Sequence, residues 1–212
     1  MDILGKWKDS CLWRHKAVRN HSFSVVGLHR GVGVTLFCVN FASYLAKVHK
    51  AKVALINLVE HDDYIKLASA EGMLEDREVK QCFYSERFMN GNITFFCNAN
   101  TFALQRTWKE TFDFVLYDMG TKFHRNKETF LSSDQKIILG SGLQWRNCEY
   151  EQFLHYARQE ESYHSWEYVI MALTCNKATF IDDGKIKLKR MGVLPGAFDV
   201  SDDAARLYRS FL

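Results

Sequence analysis

The stretch Ser22-Phe23-Ser24-Val25-Val26-Gly27-Leu28-His29-Arg30-Gly31-Val32-Gly33-Val34-Thr35 decides the fold. Residues 22–28 are a short apolar run bounded by polar residues and then glycines, which reads as a buried strand. From Val34 to His49 the pattern turns helical, with Phe37, Phe41, Tyr44, Leu45 and Val48 along one face. Glycines at the junction let the backbone curl around an anion at the positive end of the helix. Strand, glycine loop and helix in this order predict an α/β protein with a phosphate- or dinucleotide-type turn at residues 27–35.

Working outward, residues 52–59 (KVALINLV) form a second, nearly continuous apolar run of the kind found in parallel strands. Residues 93–98, 112–118, 136–140 and 166–174 read as further strands. Residues 62–90, 100–110, 124–132 and 146–161 read as helical. Strands alternating with helices predict a doubly wound, mostly parallel sheet flanked by helices. Residues 184–190 (GKIKLKR) alternate strictly, with Lys185, Lys187 and Lys189 on one face. They read either as a sheet-edge strand guarded by lysines or as a basic strip for phosphates or acidic partners. Ser201 is placed to cap a last helix whose Ala204, Leu207, Tyr208 and Phe211 face inward.

No repeat or low-complexity linker divides the chain, so residues 22–212 are expected to form one domain behind a leader, residues 1–21. The leader carries five Lys or Arg against two acids, together with Trp7 and Trp13. Ile3, Leu4, Trp7 and Cys11 fall at helical spacing, so the leader reads as a short amphipathic helix. It packs on the domain, or it contacts a membrane surface or a protein partner. A net charge of +3 is too small to point to nucleic acid. The six cysteines include no Cys-x-x-Cys pair, so reduced, buried thiols in a cytoplasmic protein are expected. The longest apolar runs fall far below the ~20 residues needed to cross a bilayer. His124, His155 and His164 lack ligand spacing and are read as ordinary surface or half-buried residues.

Two family resemblances compete for the glycine loop. Gly27-x-x-x-Gly31-x-Gly33 resembles the turn of the short-chain dehydrogenases, and Asn98-Ala99-Asn100 sits where they carry Asn-Ala-Gly. That family implies NAD(P) and a catalytic Tyr followed four residues later by Lys. None of the nine tyrosines satisfies this spacing; Tyr44 and Lys47 are three apart.

The second resemblance covers more of the chain. His29-Arg30-Gly31-Val32-Gly33-Val34-Thr35 resembles the K-G-G-x-G-K-T loop of the ParA/MinD family of dimerising ATPases. FDFVLYDMG (112–120) resembles their Walker B strand, and MGVLPGAFDVSDDA (191–204), which holds the only proline, their late strand-turn-helix segment. The resemblance runs from about residue 22 to 212. It implies a P-loop NTPase-like fold of ParA/MinD type, ATP or GTP with magnesium as ligand, and a bacterial positioning or assembly role. It also implies a homodimer formed face to face across the nucleotide.

By this resemblance the candidate nucleotide contacts are His29, Arg30, Gly31, Val32, Gly33, Val34 and Thr35. Thr35 and Asp118 are the candidate magnesium site. The departures fall on the chemistry. Val34 stands where the family keeps its Walker lysine, His29 where it keeps the lysine that reaches the partner subunit, and Arg30 where it keeps a glycine. The strand-two I-D-x-D motif is Ile56-Asn57-Leu58-Val59, without carboxylates.

A charged hydrogen bond is worth roughly 1.5–3 kcal/mol, so the missing lysine alone costs about 10- to 150-fold in affinity. Lost carboxylates remove positioning, on which phosphoryl transfer depends. Arg30 offers a substitute clamp on phosphate oxygens. No catalytic residue is assigned. The expected function is a pseudo-ATPase acting as an interaction or scaffold module. The alternatives are a switch that binds ATP or GTP without turnover and an NAD(P)-binding oxidoreductase-like protein.

Overall fold

The computed structural model describes residues 21–59, 61–73, 87–97, 112–171, 186 and 188–212. Among these residues eight strands form one sheet: β1 (His21–Gly27), β2 (Val53–Asn57), β3 (Arg87–Asn90), β4 (Ile93–Phe96), β5 (Phe114–Asp118), β6 (Gln135–Ser141), β7 (Glu167–Met171) and β8 (Leu188–Met191). Their order across the sheet is β3-β4-β2-β5-β1-β6-β7-β8. Every neighbouring pair is parallel except β3 with β4.

The α-helices among the described residues are α1 (Val34–Val48), α2 (Asp63–Ala70), α3 (Lys127–Ser132), α4 (Asn147–Ala157) and α5 (Asp202–Arg209). Strand residues alternate between two cores, as a period of two requires. Val25, Leu55, Leu116 and Leu139 pack against side chains of α1, α2 and α5. Val26, Ile56, Val115 and Ile138 pack against side chains of α3 and α4. This is the doubly wound sheet expected from the sequence.

One tie between the helices on the first face is polar. Asn40 of α1 is fully buried. Its Nδ2 donates to the carbonyls of Gly196 and Asp199, each at 2.9 Å, and its Oδ1 accepts the Tyr208 hydroxyl at 3.0 Å. A single amide thereby sets the turn before α5 and the register of α5 on α1. Ser201 caps α5 as expected, its Oγ accepting from Ala204 N–H at 3.2 Å.

Several expectations are corrected. Residues 87–90 fall in β3 rather than in a helix, because Phe88 alternates with exposed Arg87 and Met89 and stacks on Phe95 at 4.4 Å. The helical span over residues 62–73 is limited to α2. Lys189 lies on β8, an edge strand, but it is not free for a partner. Its Nζ pairs with Glu167 at 2.7 Å and bonds the Ser210 hydroxyl at 2.9 Å. Cys38 and Cys97 are buried thiols outside any disulfide, while Cys148 is an exposed one.

The leader, except His21 in β1, lies outside the described residues, as do Asn98-Ala99-Asn100 and the helix expected near 100–110. Among the described residues no helix is long and apolar enough to cross a membrane, and no three His, Cys, Asp or Glu side chains converge as a metal site.

Candidate functional site

The carboxyl ends of β2, β5, β1 and β6 lie side by side, and the glycine loop rises from β1 in the middle. Gly27 N–H donates to the Gly120 carbonyl at 2.7 Å, and Leu28 N–H to the Leu139 carbonyl at 2.9 Å. The end of β1 is thus held from both sides before the loop departs.

Gly31 and Gly33 take φ of 79° and 95°, the left-handed region that favours glycine. Nothing lies within 4 Å of a Cβ built on either. The space beside both glycines is therefore open, and Gly33 leads into α1 with no side-chain cap.

The loop's side chains tell a different story. Val32 and Val34 are buried and join the core beneath the loop with Val25 and Phe37. A Cβ on Gly27 would stand 2.6 Å from Val32 Cγ1 and from Val34 Cγ2. Only glycine at 27 lets the two valines pack down onto the strand end. At the position where the resemblance expects a lysine, an apolar side chain plugs the floor of the loop. His29 folds back on its own loop, its Nδ1 lying 2.8 Å from the Arg30 carbonyl. Arg30 is exposed.

Asp118, at the end of β5, has no exposure at all. Its Oδ1 accepts from Gly120 N–H at 2.9 Å and its Oδ2 from the Tyr64 hydroxyl at 3.1 Å. Thr35, at the start of α1, lies close enough for its hydroxyl to act on the carboxyl. Burial pushes the carboxyl pKa up, and the Gly120 N–H, Thr35 and Tyr64 oppose that shift. The structure therefore does bring Thr35 and Asp118 together, and it adds a residue that the sequence did not single out. Tyr64 lies on α2, is 1% exposed, and meets Phe95 edge-on at 5.6 Å. In sequence it is one aromatic in a mixed segment without a motif. Only the packing of α2 against the end of β5 gives it a role.

Asn57, noted in the sequence as a lost carboxylate, is also put to use. Its Nδ2 donates to the carbonyls of His61 at 3.0 Å and Cys97 at 3.2 Å, while its Oδ1 accepts from Val59 N–H at 2.9 Å. Cys38, also fully buried nearby, has its thiol pKa pushed up by burial first and by Asp118 second.

An apolar plug under the loop and a carboxylate with both oxygens already hydrogen-bonded do not fit a magnesium-bound nucleoside triphosphate. The open space at Gly31 and Gly33 leaves room for an anion.

The sheet order separates the two families. In the dinucleotide fold the second strand neighbours the first, in the order 3-2-1-4-5-6. Here β5 lies between β2 and β1, and the dehydrogenase alternative is set aside. Fold and loop together define a P-loop NTPase-like α/β protein.

Comparison with solved structures narrows that class. A putative plasmid partition protein from Borrelia burgdorferi B31, solved bound to AMPPNP, is similar with a TM-score of 0.62 and 16% identity, over 91% of this chain and 96% of that one. A ParA family ATPase from Chlorobium tepidum TLS matches with a TM-score of 0.57 and 14% identity, over 84% and 85%. MinD in the MinC:MinD cell division complex of Aquifex aeolicus matches at 0.50 and 12%, over 71% and 68%. The fold is therefore that of the ParA/MinD-type P-loop ATPases. No protein-family model and no curated protein sequence matches the chain.

Proposed function

We propose that the chain is a ParA/MinD-like pseudo-ATPase, a P-loop fold kept as a protein-interaction or scaffold module in a positioning or assembly process. The observation that carries this reading is the buried Val34 at the Walker lysine position, packed with Val32 onto Gly27. Valine offers phosphate no hydrogen bond, and the strand-two positions Asn57 and Val59 offer no carboxylate to orient water. Partition and cell-division proteins with this fold, one of them solved in complex with MinC, support the positioning role and a protein partner.

The test is phosphate release from magnesium-ATP and magnesium-GTP by the full chain, with titration calorimetry alongside. No turnover above the protein-free rate is expected; steady hydrolysis abolished by Asp118→Asn would sink the reading.

A second reading is a nucleotide-binding switch without turnover, favoured by the open left-handed backbone at Gly31 and Gly33. Here Arg30 acts as the phosphate clamp. Micromolar binding that Arg30→Ala weakens by about 10- to 150-fold would select it over the scaffold.

A further inference from the structure

We infer that Tyr64 and Asn57 hold α2 shut over Asp118, so that Tyr64 is the residue that denies this carboxylate to a divalent cation. The inference rests on the non-hydrolysing reading above and explains how the site is kept in that state.

A carboxylate with no exposure is costly unless its lone pairs are satisfied. Asp118 meets that demand with one bond to each oxygen: Gly120 N–H, two residues on in the chain, at Oδ1, and the Tyr64 hydroxyl, on α2, at Oδ2. Tyr64 is the one of the two that belongs to a separate element. Its hydroxyl is fully buried, and burial, with Asp118 close by, pushes its pKa well above the usual tyrosine range. It therefore stays protonated and can act as a donor to the carboxylate.

Magnesium requires oxygen ligands at about 2.0–2.1 Å in octahedral array. The Tyr64 hydroxyl, 3.1 Å from Oδ2, occupies one of the two oxygens that such an ion could use, and Gly120 N–H occupies the other. The ion can reach Asp118 only if α2 moves.

Asn57 makes that movement harder. Its amide donates to the carbonyls of His61 and Cys97, tying the loop before α2 to the ends of β2 and β4. A carboxylate at position 57 cannot donate and would face two carbonyl oxygens. The amide is thus what the closed arrangement needs, and the aspartate found there in the ParA/MinD family would oppose it. The two residues act together: Asn57 fixes the entry to α2, and Tyr64 fixes its first turn. The segment then keeps one conformation whatever anion meets the glycine loop.

A tyrosine that merely fills space would loosen α2 when its hydroxyl is removed, without changing metal uptake. The experiment separates the two roles by measuring both on the full chain. Hydrogen exchange follows the amides of α2, and electron paramagnetic resonance follows bound manganese, for wild type, Tyr64→Phe, Tyr64→Phe/Asp118→Asn and Asn57→Asp.

In Tyr64→Phe the amides of residues 64–70 are expected to exchange roughly tenfold faster or more, while β1, β5 and β6 stay protected. Bound manganese should appear in Tyr64→Phe, be absent from wild type, and be lost again in the double variant. Asn57→Asp opens the same segment from its other end, and carries the manganese test if Tyr64→Phe does not fold.

Unchanged exchange, or manganese taken up equally by wild type and Tyr64→Phe, or by neither, overturns the inference. Those outcomes, in a wild type that does not hydrolyse ATP, leave the pseudo-ATPase reading intact. ATP turnover by wild type overturns both.

Discussion

Val34→Lys puts back the side chain that the P-loop families use to hold phosphate, and the structure predicts that it harms the protein. Val34 is 6% exposed and packs with Val32 directly over Gly27. Burying a valine side chain is worth about 1.5–3 kcal/mol, and the variant loses most of that. The lysine ammonium cannot stay in the apolar floor and must lever its stem out towards solvent. A loss of about 1.5–3 kcal/mol lowers Tm by about 3–12 °C for a chain of this size. Urea denaturation of wild type, Val34→Lys and Val34→Ala measures it, with alanine removing the packing but adding no charge. Both variants should be destabilised. Neither should hydrolyse magnesium-ATP, because Asn57 and Val59 still supply no carboxylate and Asp118 remains bonded to Tyr64. If Val34→Lys is as stable as wild type, the valines do not plug the loop. If it hydrolyses ATP, the lost chemistry was one residue deep and the pseudo-ATPase argument fails.

Two further outcomes follow from buried polar groups. Asn40→Leu strands the Gly196 and Asp199 carbonyls and the Tyr208 hydroxyl, and should cost about 2–4 kcal/mol in urea denaturation. A loss below about 0.5 kcal/mol would show that α5 docks without this amide. Asp118 has a folded pKa raised by burial above its ordinary 3.8, so its contribution to stability is greatest below that value and is lost as pH rises through the folded pKa. Asp118→Asn removes this dependence and can keep both neighbours by turning the Tyr64 hydroxyl round. Its stability relative to wild type should therefore improve as pH rises from about 4; a difference independent of pH would mean that Asp118 is not desolvated.

Local patterning determined much of this protein. Apolar runs, the glycines at 27, 31 and 33 and the helical stripe after Val34 act within a few residues, so β1, the loop and α1 were legible without partners. The alternation of strands and helices gave the parallel sheet, and Ser201 announced α5, because a cap is made by residues three apart. The order of motifs along the chain was enough to suggest the ParA/MinD-type fold, and residue identity put Val34 where that resemblance expects the Walker lysine.

Tertiary structure decided the rest. Whether the first strand neighbours the second or the fifth is a matter of long-range pairing, and it separated two glycine turns that look alike in sequence. Residues 87–90 carry too short an alternation to declare a strand until β4 pairs with them. Lys189 reads as a free cation until Glu167 and Ser210 are seen beside it. Val34 could be read as a lost lysine, but that it fills the floor of the loop depends on Gly27 approaching from another element. Tyr64 carries no local signal at all. Its role exists because α2 packs its buried face against the end of β5, where a carboxylate removed from water must find its hydrogen bonds within the protein.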